Sequence, residues 1–208
     1  MDWHRHSAIE GQHAFLGASK YHWINYDSDK LFERFSSSYI PTIGTILHAL
    51  AKSLIDKKVK LTKADKKVVL LRLLENGVPR SVINMDFIYE NLMNYVNDCI
   101  GFGMDTEVTL MYSEYAFGTA DAINFRDDIL RIHDLKTGAA MAHVEQLYIY
   151  AALFCLEYRK KPGEIKICLS IYQDGEVFEE EPDVEVIAQI MDKIITFDKA
   201  IRKFKGEV

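Results

Sequence analysis

The hydrophobic period of this sequence changes around Gly101 and Gly103. Upstream of these glycines apolar residues recur about every 3.6 residues, the spacing of one helix face, and directly after them they recur at every second residue, the spacing of one strand face. A period of two requires strands, and strands require a sheet. The sequence therefore predicts a mainly helical part over 1–103, followed by a part that contains a sheet.

Helices are predicted over 45–57, 64–74 and 81–98, while residues 1–40 show no sustained period. A tight polar turn at 126–128 joins two of the strands. The elements predicted after Gly103 are three strands, a helix, a fourth strand and a last helix, over 106–112, 117–125, 129–137, 143–158, 165–172 and 184–204.

This order of elements predicts an α/β fold with a mixed sheet of the α+β kind. A length of 208 residues favours one domain, at about 150 residues per domain. We expect the helical part to be followed by a core over 104–172 and by an acidic turn with a C-terminal helix over 173–208.

The composition favours a cytoplasmic chain that does not enter a membrane. No apolar run approaches the roughly 20 residues of a membrane-spanning helix, and the N-terminus lacks the apolar stretch of a secretion signal. The cysteines, Cys99, Cys155 and Cys168, are too scattered for a disulfide framework or a four-cysteine cluster.

The charge is unevenly distributed along the chain. The net charge is −6, but residues 174–185 hold seven acids and no base. Residues 51–80 instead hold nine bases against three acids, enough to neutralise several phosphates if the bases share a face. Charge alone favours a solvated helical surface, and a nucleic-acid-binding face is the alternative.

Asp134 and Lys136 are the pair of polar residues that points most specifically to a functional site. They lie two apart on a predicted strand, so both side chains project from the same face, next to the apolar Leu130 and Ile132. Burying a carboxylate and an ammonium is costly unless a metal, a partner or a substrate satisfies them. A plain salt bridge at the end of a strand is the alternative.

Asp121 lies on the preceding predicted strand. If the turn pairs residue 127 with 128, Asp121 falls opposite Asp134, and two facing carboxylates repel unless a cation bridges them. Oxygen ligands suit Mg²⁺ or Mn²⁺ better than zinc. A slipped register, with Asp121 facing solvent, is the alternative.

Gln146 and Tyr150 lie four residues apart on the following helix and share one face. Polar groups are rare on this predicted helix, so the two side chains point to a specific contact such as a phosphate or the lysine. Ordinary helix-surface polarity is the alternative.

Four short motifs in order resemble the RecB-like branch of the PD-(D/E)xK nuclease superfamily, which includes recombination nucleases and the exonucleases of CRISPR adaptation. The resemblance spans about 36–172 and implies a restriction-endonuclease-like core within a single nuclease domain. Its motifs are Gly-Thr-Ile-Leu-His at 44–48, Gly-Thr-Ala-Asp-Ala at 118–122, His-Asp-Leu-Lys-Thr-Gly at 133–138 and Gln-x-x-x-Tyr at 146–150.

The resemblance implies the role of each site residue. His48, Asp121, Asp134 and the backbone carbonyl of Leu135 would hold Mg²⁺ or Mn²⁺, although a lone histidine on an apolar helix is often only a core or cap residue. Lys136 would be the catalytic lysine. Gln146 and Tyr150 would support the site and the DNA backbone. Whether Glu107 adds a carboxylate to the site is left open.

The expected function is that of a metal-dependent deoxyribonuclease, an exonuclease in DNA recombination, repair or phage DNA processing. A catalytically silent nuclease-fold subunit that binds DNA or protein, and a site-specific endonuclease, are the alternatives. DNA would contact the basic stretch, represented by Lys57, Lys58, Lys66 and Lys67.

Two features found in members of this branch are missing from the sequence. The cysteines match no iron–sulfur spacing, so no cluster is expected. The sequence has no helicase region, so a helicase or recombination protein would be a separate chain. We expect a phage or prophage origin, and the oligomeric state is left open.

Overall fold

The computed structural model describes residues 14–137 and 143–206, and the chain divides into a unit that ends at Ile40 and a unit that begins at Pro41. The first unit holds a 3₁₀ helix (Ala18–Asn25) and α1 (Ser28–Ser37), whose N-cap Asp27 accepts a hydrogen bond from the Lys30 backbone at 2.8 Å. The sequence predicted neither element, because a 3₁₀ helix lacks the 3.6-residue period and the apolar residues of α1 are only Leu31, Phe32 and Phe35.

The second unit begins with helices, as predicted. Their bounds are α2 (Ile40–Asp56), α3 (Lys66–Glu75) and α4 (Met85–Phe102). Helix α2 begins five residues earlier than predicted, because proline is tolerated in the first turn of a helix and Pro41 lies there. Helix α4 ends at Gly103, whose φ of 63° is the left-handed conformation that favours glycine at a helix C-terminus.

A five-stranded mixed sheet follows, with its strands in sequence order. Strands β1, β2 and β3 form an antiparallel meander, β3 and β4 are parallel, and β5 is antiparallel to β4. The strand bounds are β1 (Asp105–Ser113), β2 (Ala116–Arg126), β3 (Ile129–Leu135), β4 (Lys166–Gln173) and β5 (Glu176–Glu180).

Strand β5 corrects the prediction of an acidic turn. Its five residues are all exposed, so no buried face gives the strand an apolar alternation. The signal that could have found it is Asp174-Gly175, whose φ angles of 53° and 83° form a two-residue hairpin turn. The predicted C-terminal helix is present as α6 (Val184–Lys205).

Helix α5 (Glu145–Glu157) connects the parallel strands β3 and β4 and packs on one face of the sheet. Its buried Leu147 and Ala151 join Leu130 and Ile132 of β3 in the main core, while α4 covers the other face through residues such as Tyr95. No helix within the described ranges is both long and apolar enough to cross a membrane. That all 208 residues form one domain stays a prediction.

Candidate active site

The pairing of β2 with β3 confirms the predicted register. Asp127 and Asp128 form the two-residue turn, with φ angles of 53° and 55°, and Ala122 pairs with His133 further along. The same register carried one residue further places Asp121 opposite Asp134. The two carboxylates of the candidate site therefore lie on neighbouring strands.

The Asp134 side chain is buried, with 5% of its surface exposed. Lys136 Nζ donates to Asp134 Oδ1 at 3.1 Å and lies 2.9 Å from Oδ2, a charge contact that lacks hydrogen-bond alignment. Oδ2 accepts no hydrogen bond from any residue that the structure describes. Buried carboxylate oxygens normally have such a partner, so this oxygen keeps unused lone pairs beside the Lys136 ammonium.

Lys136 is held from its other side by α5. Its Nζ donates to Gln146 Oε1 at 3.0 Å, and Gln146 Nε2 donates to the Tyr150 hydroxyl at 3.0 Å. The Tyr150 ring lies over Gly118 of β2, where a Cβ would stand 2.8 Å from ring atom Cε1. The structure thus brings together four of the predicted residues, Asp134, Lys136, Gln146 and Tyr150.

Helix α2 brings His48 to Asp121. The His48 Nδ1 atom lies 3.4 Å from Asp121 Oδ2. The helix approaches the sheet closely at Gly44, where a Cβ would meet the Thr137 hydroxyl oxygen at 3.0 Å. The last residue of the predicted Asp-Leu-Lys-Thr-Gly motif, Gly138, lies outside the described residues.

Burial raises the pKa of the Asp121 carboxyl above its ordinary value. The Asp134 charge acts in the same direction, while His48, Lys136 and a hydrogen bond from the Leu135 backbone oppose the rise. A nearby positive charge stabilises the ionised form of such a carboxylate more than that of an ordinary one, because the ionised form is poorly solvated.

His133, next to Asp134 in sequence, faces away from this site. Its Nδ1 atom lies 3.1 Å from the hydroxyl of Tyr172, in the layer between the sheet and α4. Burial lowers the pKa of His133 to about 4, so this imidazole is neutral at physiological pH. His48, rather than His133, is therefore the histidine that belongs with the carboxylates.

A cleft of about 540 Å³ lies between α2 and the start of the sheet. Asp121 lines it together with two residues of unassigned role, Lys52 and Glu107. Lys52 Nζ lies 3.5 Å from Glu107 Oε2, and Glu107 has a φ of 51°, which is unusual for a residue with a side chain. Sequence reasoning counted Lys52 only as one base of a basic stretch.

Within residues 14–137 and 143–206, no three His, Cys, Asp or Glu side chains are arranged as a ready metal-binding group. Two of the carboxylates instead contact basic groups, Asp134 with Lys136 and Asp121 with His48. The oxygen donors still fit a hard divalent cation, since carboxylate and carbonyl oxygens suit Mg²⁺ or Mn²⁺ and one buried oxygen lacks a hydrogen-bond donor.

A larger cleft, of about 640 Å³, lies between α3 and the start of α4 and is basic. Lys66 and Lys67 line it, and Lys66 pairs with Asp86. Lys57 and Lys58 follow the end of α2 and are not among its lining residues. The structure therefore places two of the four predicted DNA-binding lysines in one cleft, together with Lys63 and Arg80.

The three cysteines are unpaired, and burial raises the pKa of the Cys155 thiol to about 11. Thiolates are therefore scarce at neutral pH, which disfavours nucleophilic cysteine chemistry.

One comparison with known proteins gives a match. A family model described as "Protein of unknown function (DUF2800)" matches residues 13–174. No curated protein and no solved structure matches the chain.

Proposed function

We propose that this chain, which belongs to the DUF2800 family, is a metal-dependent deoxyribonuclease with a PD-(D/E)xK site. The observation that carries the proposal is that Asp121 and Asp134 lie on two paired strands, with Lys136 just beyond the end of β3 and one buried oxygen of Asp134 lacking a hydrogen-bond donor. A restriction-endonuclease-like core is part of the proposal, and the antiparallel meander, the crossover helix α5 and the parallel strand β4 support it.

His48, Asp121 and Asp134 would hold the metal ion, with the Leu135 carbonyl as a further oxygen. Mg²⁺ or Mn²⁺ at such a site polarises a phosphate and lowers the pKa of a bound water. The chain's own contribution is to bury Asp134 and to cover Asp121 and His48 in part, which strengthens their electrostatic interactions with a cation.

Lys136 provides a positive charge beside the carboxylates. Contacts to Asp134 and Gln146 fix its Nζ before a substrate arrives, and a charge fixed in advance needs little reorganisation when negative charge builds up on the phosphate oxygens. Tyr150 positions Gln146 through their hydrogen bond and is itself packed on Gly118. The three side chains therefore act as one positioning chain that ends at the ammonium.

DNA would contact the basic cleft through its phosphates. Lysines neutralise phosphates without reading bases, and the cleft provides Lys63, Lys66 and Lys67. This supports an exonuclease or a structure-directed nuclease over a site-specific enzyme.

The test is digestion of end-labelled single-stranded and double-stranded linear DNA, and of a closed circle, with Mg²⁺, Mn²⁺ or EDTA. We expect the linear substrates to be degraded with either metal and to stay intact in EDTA, while the circle persists. The control variant is Lys160→Met, which removes a lysine paired with Asp128 outside the site. Defined fragments from the circle would indicate a site-specific endonuclease, and DNA binding without cleavage would indicate a silent subunit.

A further inference from the structure

Lys52 lies in an open cage of oxygens in the cleft that His48 and Asp121 also line. Its Nζ is 3.1 Å from the Thr106 hydroxyl oxygen, 3.3 Å from an Asp56 carboxylate oxygen and 3.5 Å from a Glu107 carboxylate oxygen. The Thr106 hydroxyl donates its own hydrogen to Asp56 at 2.8 Å, so its oxygen is free to accept from the ammonium. An ammonium has three N–H donors, and here three oxygens lie within 3.5 Å of it on one side, while the Lys52 side chain stays 38% exposed to solvent.

The cage continues the row of carboxylates in the candidate active site. Thr106 pairs with Ala122 and Val108 pairs with Ala120, so Glu107 falls opposite Asp121. Because Asp121 falls opposite Asp134 on the next strand, three carboxylates lie across β1, β2 and β3. Each has a basic neighbour: Lys52 contacts Glu107, His48 contacts Asp121 and Lys136 contacts Asp134.

Helix α2 positions two of these bases along one stripe. Its Gly44, His48 and Lys52 are four residues apart, or about 6 Å along the helix axis, while neighbouring strands are about 4.8 Å apart. The stripe meets Thr137 just beyond the end of β3, then Asp121 on β2, then Glu107 on β1. Lys52 thus reaches β1 because the helix crosses the strands one after another.

Two carboxylates and a hydroxyl are the kind of oxygen ligands that a second Mg²⁺ or Mn²⁺ takes in two-metal nucleases. In this chain an ammonium lies among them. Resting on the proposed function, we propose that Lys52 takes the place of a second metal ion beside Glu107, so that the site holds one divalent cation and not two. Interactions with Asp56 and Glu107 also raise the pKa of Lys52, which keeps the ammonium charged.

The test counts bound Mn²⁺ from the loss of the free-ion electron paramagnetic resonance signal, in the whole chain without DNA. We expect one ion per chain for the natural sequence and two for Lys52→Met, which empties the cage. Lys52→Arg keeps a positive charge and should bind one ion. Lys160→Met is the matched control, because Lys160 has the same exposed fraction, 38%, and pairs with Asp128, and it should also bind one ion.

A second variant links the added ion to Glu107. Lys52→Met combined with Glu107→Gln should bind one ion again, and circular dichroism confirms that each variant is folded. If Lys52→Met does not fold, Lys52→Gln replaces it with the same expected count. One ion in both the natural chain and the Lys52 variant, or two ions in the natural chain, would overturn this inference and leave the nuclease proposal intact. No bound ion in the natural chain would overturn the metal site itself.

Discussion

Replacing Gly118 with alanine should destabilise the chain, because the Tyr150 ring occupies the space that the methyl group needs. The added Cβ would lie 2.8 Å from Tyr150 Cε1, whereas carbon atoms pack best at about 3.5–4.0 Å. The ring must therefore move by roughly 0.7–1.2 Å, and overpacking of this kind costs about 1–3 kcal/mol. For a chain of this size a loss of 2 kcal/mol corresponds to a melting temperature lower by about 4–8 °C.

A double-mutant cycle separates this clash from a backbone effect. Gly118 does not have a positive φ, so its backbone accepts alanine, and removing a glycine from a strand should by itself stabilise by about 0.5–1 kcal/mol. In a Tyr150→Ala background, Gly118→Ala should therefore be neutral or stabilising. The backbone effect cancels in the cycle, so the coupling energy expected between the two sites is the cost of the clash, about 1–3 kcal/mol.

The assay is urea unfolding of the natural chain, both single variants and the double variant, in EDTA. Unchanged slopes of the unfolding free energy against urea would allow the midpoints to be compared directly. An equal loss of stability from Gly118→Ala in both backgrounds would refute the contact between the tyrosine ring and the strand. The positioning chain from Tyr150 to Lys136 would then lose its support.

Two further predictions concern charge. In EDTA, Asp121→Asn should raise the melting temperature at pH 7 and have little effect near pH 3. The reason is that the stability linked to a carboxyl of raised pKa is present at low pH and is lost as pH rises through that pKa. A lower melting temperature of the variant at pH 7 would contradict this. Charge reversal to glutamate in the basic stretch should weaken DNA binding about equally for all sequences. It should also reduce the log–log slope of affinity against salt by about 0.9 for each phosphate that is no longer neutralised, measured by fluorescence anisotropy. Unchanged affinity would leave the stretch as a solvated surface. The residues reversed are Lys57, Lys58, Lys66 and Lys67.

The part of the site on β2 and β3 could be predicted because local rules determine it. A two-residue turn fixes the register of a hairpin, so the position of Asp127 and Asp128 was enough to place Asp121 opposite Asp134. Alternation then put Lys136 on the same face as Asp134. The partner of Lys136, Gln146, followed from helix spacing and the order of the motifs.

Other features depend on contacts between distant parts of the chain. Strand β5 has no buried face, so hydrophobic alternation could not indicate it. Lys52 looked like one of nine bases, since only the crossing of α2 over the strands brings it to Glu107. The left-handed backbone of Glu107 has no glycine to signal it.

The most direct test of the proposed nuclease is the cleavage rate of Lys136→Met on linear DNA under saturating Mn²⁺, alongside Mn²⁺ binding by the same protein. Lys136 contacts both Asp134 and Gln146 but is not proposed as a metal ligand, so the variant should still bind Mn²⁺. We expect cleavage to fall by at least about a hundredfold, as it does when a charge-stabilising donor is removed from an active site, while Lys160→Met keeps the natural rate. Cleavage at the natural rate by Lys136→Met would contradict the assignment of this site.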